Sequence, residues 1–150
     1  MGDSNIQNEQ ALLANTTVFV IDDDKQTAET LRRELTQVGA NVVVADSAEA
    51  ALALYRLTPP DVIISEMHLG SSDGYAFIRA IREYNKEYRG FTPAIALTEI
   101  AHEHPRDEER AMAAGFDAYI HRPFNPAEVV DTITRLLRKP RDHGGFRIRQ

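Results

Sequence analysis

Cysteine is missing from all 150 residues of the chain, which excludes a disulfide framework, a zinc–thiolate centre and a thiol nucleophile. Long apolar runs are missing too. None approaches the roughly 20 residues of a membrane-spanning helix, and the opening MGDSNIQNEQ has neither the basic nor the apolar region of a secretory leader. Positive charge is in deficit, with 17 Lys and Arg against 23 Asp and Glu, for a formal net charge of −6. That balance argues against general nucleic-acid binding. The expectation is one soluble, cytoplasmic domain over residues 16–139, with a flexible arm over residues 1–15 and a basic tail or linker over residues 140–150.

What is present is organised around DVIISEMHLGSSDG, from Asp61 to Gly74. A buried apolar run ends in Ser65-Glu66 and breaks into a Gly/Ser/Asp loop, so a strand delivers one carboxylate to an open edge. An earlier run, Val18-Phe19-Val20-Ile21, ends in Asp22-Asp23-Asp24. Further strands are expected at Val42–Ala45, Ala94–Leu97 and Phe116–Ile120. Between them lie helical patterns: Ala28, Leu31, Leu35 and Val38 fall at spacings of three and four, ended by Gly39. Ser47 is an N-cap for the second helix, and Phe77, Ile78 and Ile81 mark the inner face of the third. The fourth is expected to start at Pro105 and stop at Gly115, and the fifth has Asn125 as N-cap, Pro126 at N1 and Glu128 at N3. Five alternations with short connections imply an α/β domain with an open parallel sheet and helices on both faces. Ligands of such sheets sit beyond the carboxyl ends of the strands, where Asp22, Asp23, Glu66, Thr98 and Arg122 all fall.

In this order, VFVIDDD, DVIISEMHLGSSDG, AIALTE and GFDAYIHRPF resemble the receiver domain of two-component response regulators. The resemblance implies a flavodoxin-like, doubly wound, five-stranded sheet of order 2-1-3-4-5 with five helices, a fold for which a receiver is a standing example. It implies that Asp22 and Asp23 are the acidic pocket, Thr98 the phosphate-contacting hydroxyl and Tyr119 the aromatic switch. Glu66 stands at the phosphoacceptor position, where the family has Asp, and Arg122 stands for the family lysine, still followed by the Pro123 of a cis peptide. Leu69-Gly70 replaces a family Met-Pro, and Glu99 follows the hydroxyl in place of a small residue.

The extra methylene of Glu66 moves its carboxylate by roughly 1 Å, a displacement that can cost on the order of 100-fold in rate. It is expected to project into the space a phosphoryl group would take, between Thr98 and Arg122. Arg122 is expected to hold Glu66 through the two hydrogen bonds of its planar fork. Clustered carboxylates repel by about 4 kcal/mol per pair at roughly 4 Å and an effective dielectric of about 20, so a cation belongs among them. That cation is Arg122 or a Mg²⁺ held by Asp23, Glu66 and the backbone carbonyl of His68. His68, His102, His104, His121 and His143 lack the spacing of a zinc site and read as surface residues.

The function expected is a non-enzymatic signalling module that acts independently of phosphorylation. Its partners would be a histidine kinase or an output domain met through residues 105–139, with a second copy of the chain as a further candidate and no membrane. The alternative is a phosphoaccepting receiver in a phosphorelay with Mg²⁺. DNA binding by the basic tail lacks a recognition helix. A cofactor-binding flavodoxin relative is disfavoured, because acids replace the phosphate-cradling loop after the first strand.

Overall fold

The computed structural model describes residues 11–69, 72–88, 90–99 and 106–138. In chain order the elements are β1 (Thr17–Ile21), α1 (Lys25–Gln37), β2 (Asn41–Ala45), α2 (Ala48–Leu57) and β3 (Val62–Glu66). They continue with β4 (His68–Leu69), β5 (Ser72–Asp73), α3 (Gly74–Tyr88), β6 (Ala94–Glu99), α4 (Asp107–Ala114), β7 (Ala118–Arg122) and α5 (Pro126–Arg138). Five strands form one parallel sheet in the order β2-β1-β3-β6-β7. This is the expected flavodoxin-like 2-1-3-4-5 topology, because β4 and β5 form a separate antiparallel hairpin. That hairpin is folded from the stretch the sequence marked only as a loop.

The sheet separates two apolar layers. Phe19, Ile63, Phe77, Ile78, Ile81 and Phe116 fill one, and Val20, Leu31, Ile64, Leu97, Val129 and Ile133 fill the other. β3 is buried on both faces along its whole length, as its uninterrupted apolar run requires of a central parallel strand. The core also reaches into the expected arm. Leu13 is 1% exposed, and its amide donates to Val38 O at 2.8 Å. Leu13 therefore docks at the end of α1, while its neighbours Leu12 and Ala14 stay exposed.

The helix boundaries have local causes. Ser47 Oγ accepts the Ala50 amide at 3.1 Å, and Asn125 Oδ1 accepts that of Ala127 at 2.9 Å, each satisfying a donor that the first turn leaves open. α4 starts at Asp107 with Arg106 at its N-cap and Asp107, Glu108 and Glu109 in its first turn, two residues later than expected; Pro105 lies outside the described residues. Its end is Gly115, whose φ of 129° suits only glycine. The Phe116 amide then turns back to Ala111 O, so Phe116 plugs the core and the ladder of β7 opens at Ala118, two residues beyond the expected strand start.

A polar hub at the foot of the sheet has no counterpart in the sequence reading. Arg82 of α3 donates through Nε to Gly115 O at 2.9 Å. Its Nη1 reaches Asn85 Oδ1 at 2.9 Å and Thr92 O at 2.6 Å, and its Nη2 reaches Asp117 Oδ2 at 2.9 Å. Asn85 Nδ2 then donates to the Tyr55 hydroxyl at 2.8 Å, which shares a hydrogen bond with Thr92 Oγ1. One guanidinium thus ties α3 to the end of α4 and to the segments entering β6 and β7.

Candidate functional site

Side-chain alternation decides which groups can meet. Val18 and Val20 stand beside Val62 and Ile64 in the parallel register, and two residues further along those strands lie Asp22 and Glu66, on the α1/α5 side. Ile120 faces the same layer, so Arg122 does as well. From the edge strand, the long side chain of Arg122 reaches back over β6 to β3 and β1.

Arg122 makes that reach with a single nitrogen. Its Nη2 donates to Asp22 Oδ2 at 2.9 Å and to Glu66 Oε1 in a second, short contact. The expected two-pronged fork on Glu66 is not what forms; one nitrogen bridges two carboxylates from different strands. The other oxygen of Asp22 accepts the Asp24 amide at 2.9 Å. Glu66 Oε2 accepts the amides of Met67 at 3.0 Å and His68 at 3.1 Å. The carboxylate of Glu66 therefore folds back over its own backbone instead of projecting outward, because the added methylene gives it the slack to cap the two amides that follow. The backbone there is closely packed: a Cβ on Gly74 would stand 2.7 Å from Glu66 O, so only glycine lets α3 start this close to β3.

Burial sets the electrostatics. Asp22 is 2% and Glu66 4% exposed. Desolvation pushes the carboxyl of Asp22 up from an ordinary 3.8 to about 6; the Asp24 amide and the Arg122 charge pull it back, and the negative Glu66 raises it further. Every oxygen of these two carboxylates is engaged. Asp23 is exposed. His68 pairs with Asp73 in the hairpin and turns its amide to Glu66. Mg²⁺ takes oxygen ligands in an octahedron and keeps several waters, and this arrangement, with a guanidinium nitrogen between the two buried acids, does not fit it. Among the described residues no group of three or more His, Asp or Glu side chains is placed to hold a metal.

Thr98 and Tyr119 lie on the other parity. Thr98 is 1% exposed, and its hydroxyl has no hydrogen-bond partner among the described residues. Tyr119 is half-buried beside Ala96 on β7, its ring edge-on to that of His121 at 5.1 Å. So Asp22, Glu66 and Arg122 are in direct contact on one face of the sheet, while Thr98 and Tyr119 belong to the opposite face and Asp23 is exposed. The peptide before Pro123 is cis. His68 and His121 are exposed; His102, His104, His143, Gly70 and the basic tail lie outside the described residues. Asp24, read in sequence only as part of the acidic run, is the amide donor that fixes Asp22, and the N-cap position ahead of α1 was the signal for it.

The family model described as the response regulator receiver domain matches residues 18–134. The chain belongs to that family. An uncharacterized 14.6 kDa protein in the sodA1 3′ region of Leptolyngbya boryana is 38% identical to this receiver domain over 119 residues, covering 79% of this chain and 87% of that protein. The transcriptional regulatory protein YvrH of Bacillus subtilis is 30% identical over 128 residues, covering 85% of this chain. The chain spans only 51% of that regulator. Among solved structures, the Vibrio cholerae chemotaxis protein CheY4 superposes with a TM-score of 0.73 at 28% identity, covering 83% of this chain and 100% of that one. The Francisella response regulator 1452 receiver domain gives 0.73 at 27%, covering 83% and 98%. No helix among the described residues is long and apolar enough to cross a membrane.

Proposed function

We propose that this receiver domain signals in the cytoplasm without accepting a phosphoryl group, its conformation set by the pairing of Glu66 with Arg122. The observation that carries this reading is the engagement of both Glu66 oxygens, one by Arg122 and one by the Met67 and His68 amides. Phosphoryl transfer depends on an in-line nucleophile and on charge stabilisation at the transferring group. A carboxylate turned down onto its own strand offers neither a free oxygen nor the position. The output is protein contact through α4, β7 and α5, with Tyr119 and Arg122 on the strand between the helices. Histidine kinases or output domains are the partners this family reading supplies.

The test is intact-mass spectrometry after incubation with a small-molecule phosphodonor and Mg²⁺. The native chain is expected to keep its mass. The double variant Glu66→Asp/Arg122→Lys, which restores both residues implied by the resemblance, is expected to gain one phosphoryl group and serves as the positive control. A phosphoryl group on the native chain sinks the reading.

A second reading, a phosphoaccepting receiver in a phosphorelay, draws on the buried Thr98 hydroxyl, which lacks a partner among the described residues. A buried hydroxyl left unsatisfied costs roughly 1–3 kcal/mol, and a ligand oxygen in the crevice would relieve that cost.

A further inference from the structure

We infer that Arg122 closes a latent divalent-cation site, its Nη2 standing between the carboxylates of Asp22 and Glu66 where the metal would otherwise bind. Two carboxylates brought together in a nearly water-free pocket need a countercharge. In this chain the countercharge is covalently attached: it is carried in from the edge strand and hydrogen-bonds to both acids at once. The remaining oxygens accept backbone amides of Asp24, Met67 and His68. A divalent ion would have to evict the guanidinium, strip these oxygens of their donors and bring its own waters into a pocket whose two acids are almost entirely covered. The receiver domain is therefore indifferent to Mg²⁺ as long as Arg122 is in place. Removing the guanidinium leaves the two buried carboxylates of Asp22 and Glu66 without their shared countercharge, and a hydrated divalent cation is the replacement that hard oxygen ligands favour. The inference stands apart from the phosphoryl reading: that one is scored by mass, this one by cation binding.

The experiment compares the full chain with Arg122→Gln, using Mg²⁺ in thermal melts and Mn²⁺ as a paramagnetic probe in amide spectra. Both are referenced to NaCl at matched ionic strength. In the native chain, millimolar Mg²⁺ is expected to leave the melting temperature unchanged, and Mn²⁺ to broaden the amides of Asp23, Asp24, Met67 and His68 without saturation. In Arg122→Gln the broadening is expected to saturate, with cation affinity raised by about 100-fold once a unit positive charge is taken from beside the ion. Saturable binding at those amides in the native chain at sub-millimolar metal overturns the inference, as does a folded Arg122→Gln that behaves like the native chain. If the variant is unfolded without metal, folding on addition of Mg²⁺ supports the inference, and failure to fold in millimolar Mg²⁺ overturns it.

Discussion

Replacing Arg122 by Met is expected to cost about 3–5 kcal/mol of folding stability near neutral pH, the penalty typical of a buried charge stripped of its partner. The side chains of Asp22 and Glu66 are 1% and 5% exposed, so water cannot take over the role of the lost guanidinium. The penalty should shrink when Asp22 is already neutral. In the folded chain Asp22 holds its proton up to about pH 6, against an ordinary value of 3.8. A carboxyl whose folded pKa is raised contributes stability that is complete below the unfolded value and is lost as pH rises through the folded one. Relative to the native chain, Asp22→Asn should therefore be neutral below about pH 4 and more stable above about pH 6, by up to about 3 kcal/mol for a shift of roughly two units. Urea denaturation of the native chain, both single variants and the double variant across this range gives the coupling directly. If Arg122→Met costs the same with Asp as with Asn at position 22, the bridge does not carry the energy assigned to it.

Truncating Arg82 to Ala should be nearly as damaging, at about 3 kcal/mol. Its side chain is 17% exposed, and its guanidinium donates to Gly115, Asn85, Thr92 and Asp117. Its loss leaves the carbonyls of Gly115 and Thr92 without this donor and Asp117 without this cation, each a group that costs of order a kcal/mol or more when left unmet. Arg82→Lys should recover only a small part, since an ammonium on a flexible stem cannot meet targets arranged around a planar fork. A local readout accompanies the global one. Asp117 Oδ2 also accepts the Ala94 amide at 2.9 Å, so hydrogen exchange at Ala94 should accelerate in Arg82→Ala more than at Ile95, one residue further into the sheet. Equal denaturation midpoints for Arg82→Ala and the native chain would reduce the hub to a surface ornament.

The architecture was legible in the sequence because it is written in local signals. Val62-Ile63-Ile64 is too apolar for anything but a strand covered on both faces, and Ser47, Gly115 and Asn125 are boundary residues whose chemistry acts within a few positions. Strand ends then placed Asp22, Glu66 and Arg122 at one crevice. What sequence did not show depends on reach and direction. Nothing in the pattern of α3, with Phe77, Ile78 and Ile81 turned inward, announces that Arg82 folds over to grip Gly115 and Asp117, more than thirty positions away. The conformation of Glu66 was missed for a related reason. Spacing locates its Cα, while the choice between pointing outward and capping the Met67 and His68 amides is made by side-chain torsions. The start of β7 was displaced because Phe116, apolar and next to the strand, is used as a plug and not as a rung.

The strand order also sets an order of events as the chain is made. β1, β2 and β3 are neighbours in space and complete by residue 66, so this half can assemble while the rest is still emerging from the ribosome, where N-terminal parts fold first. It brings Asp22 and Glu66 together before their shared cation exists, because Arg122 ends the last strand to be synthesised. The nascent half-sheet must carry that repulsion, or carry protons, until β7 docks and neutralises it. Docking of the final strand is thereby coupled to charge compensation. In stopped-flow refolding of the full chain, the step that buries β7 should slow as pH falls toward 5, because a protonated Asp22 leaves less charge for Arg122 to compensate; a pH-independent rate would break the link between the bridge and the closing of the sheet.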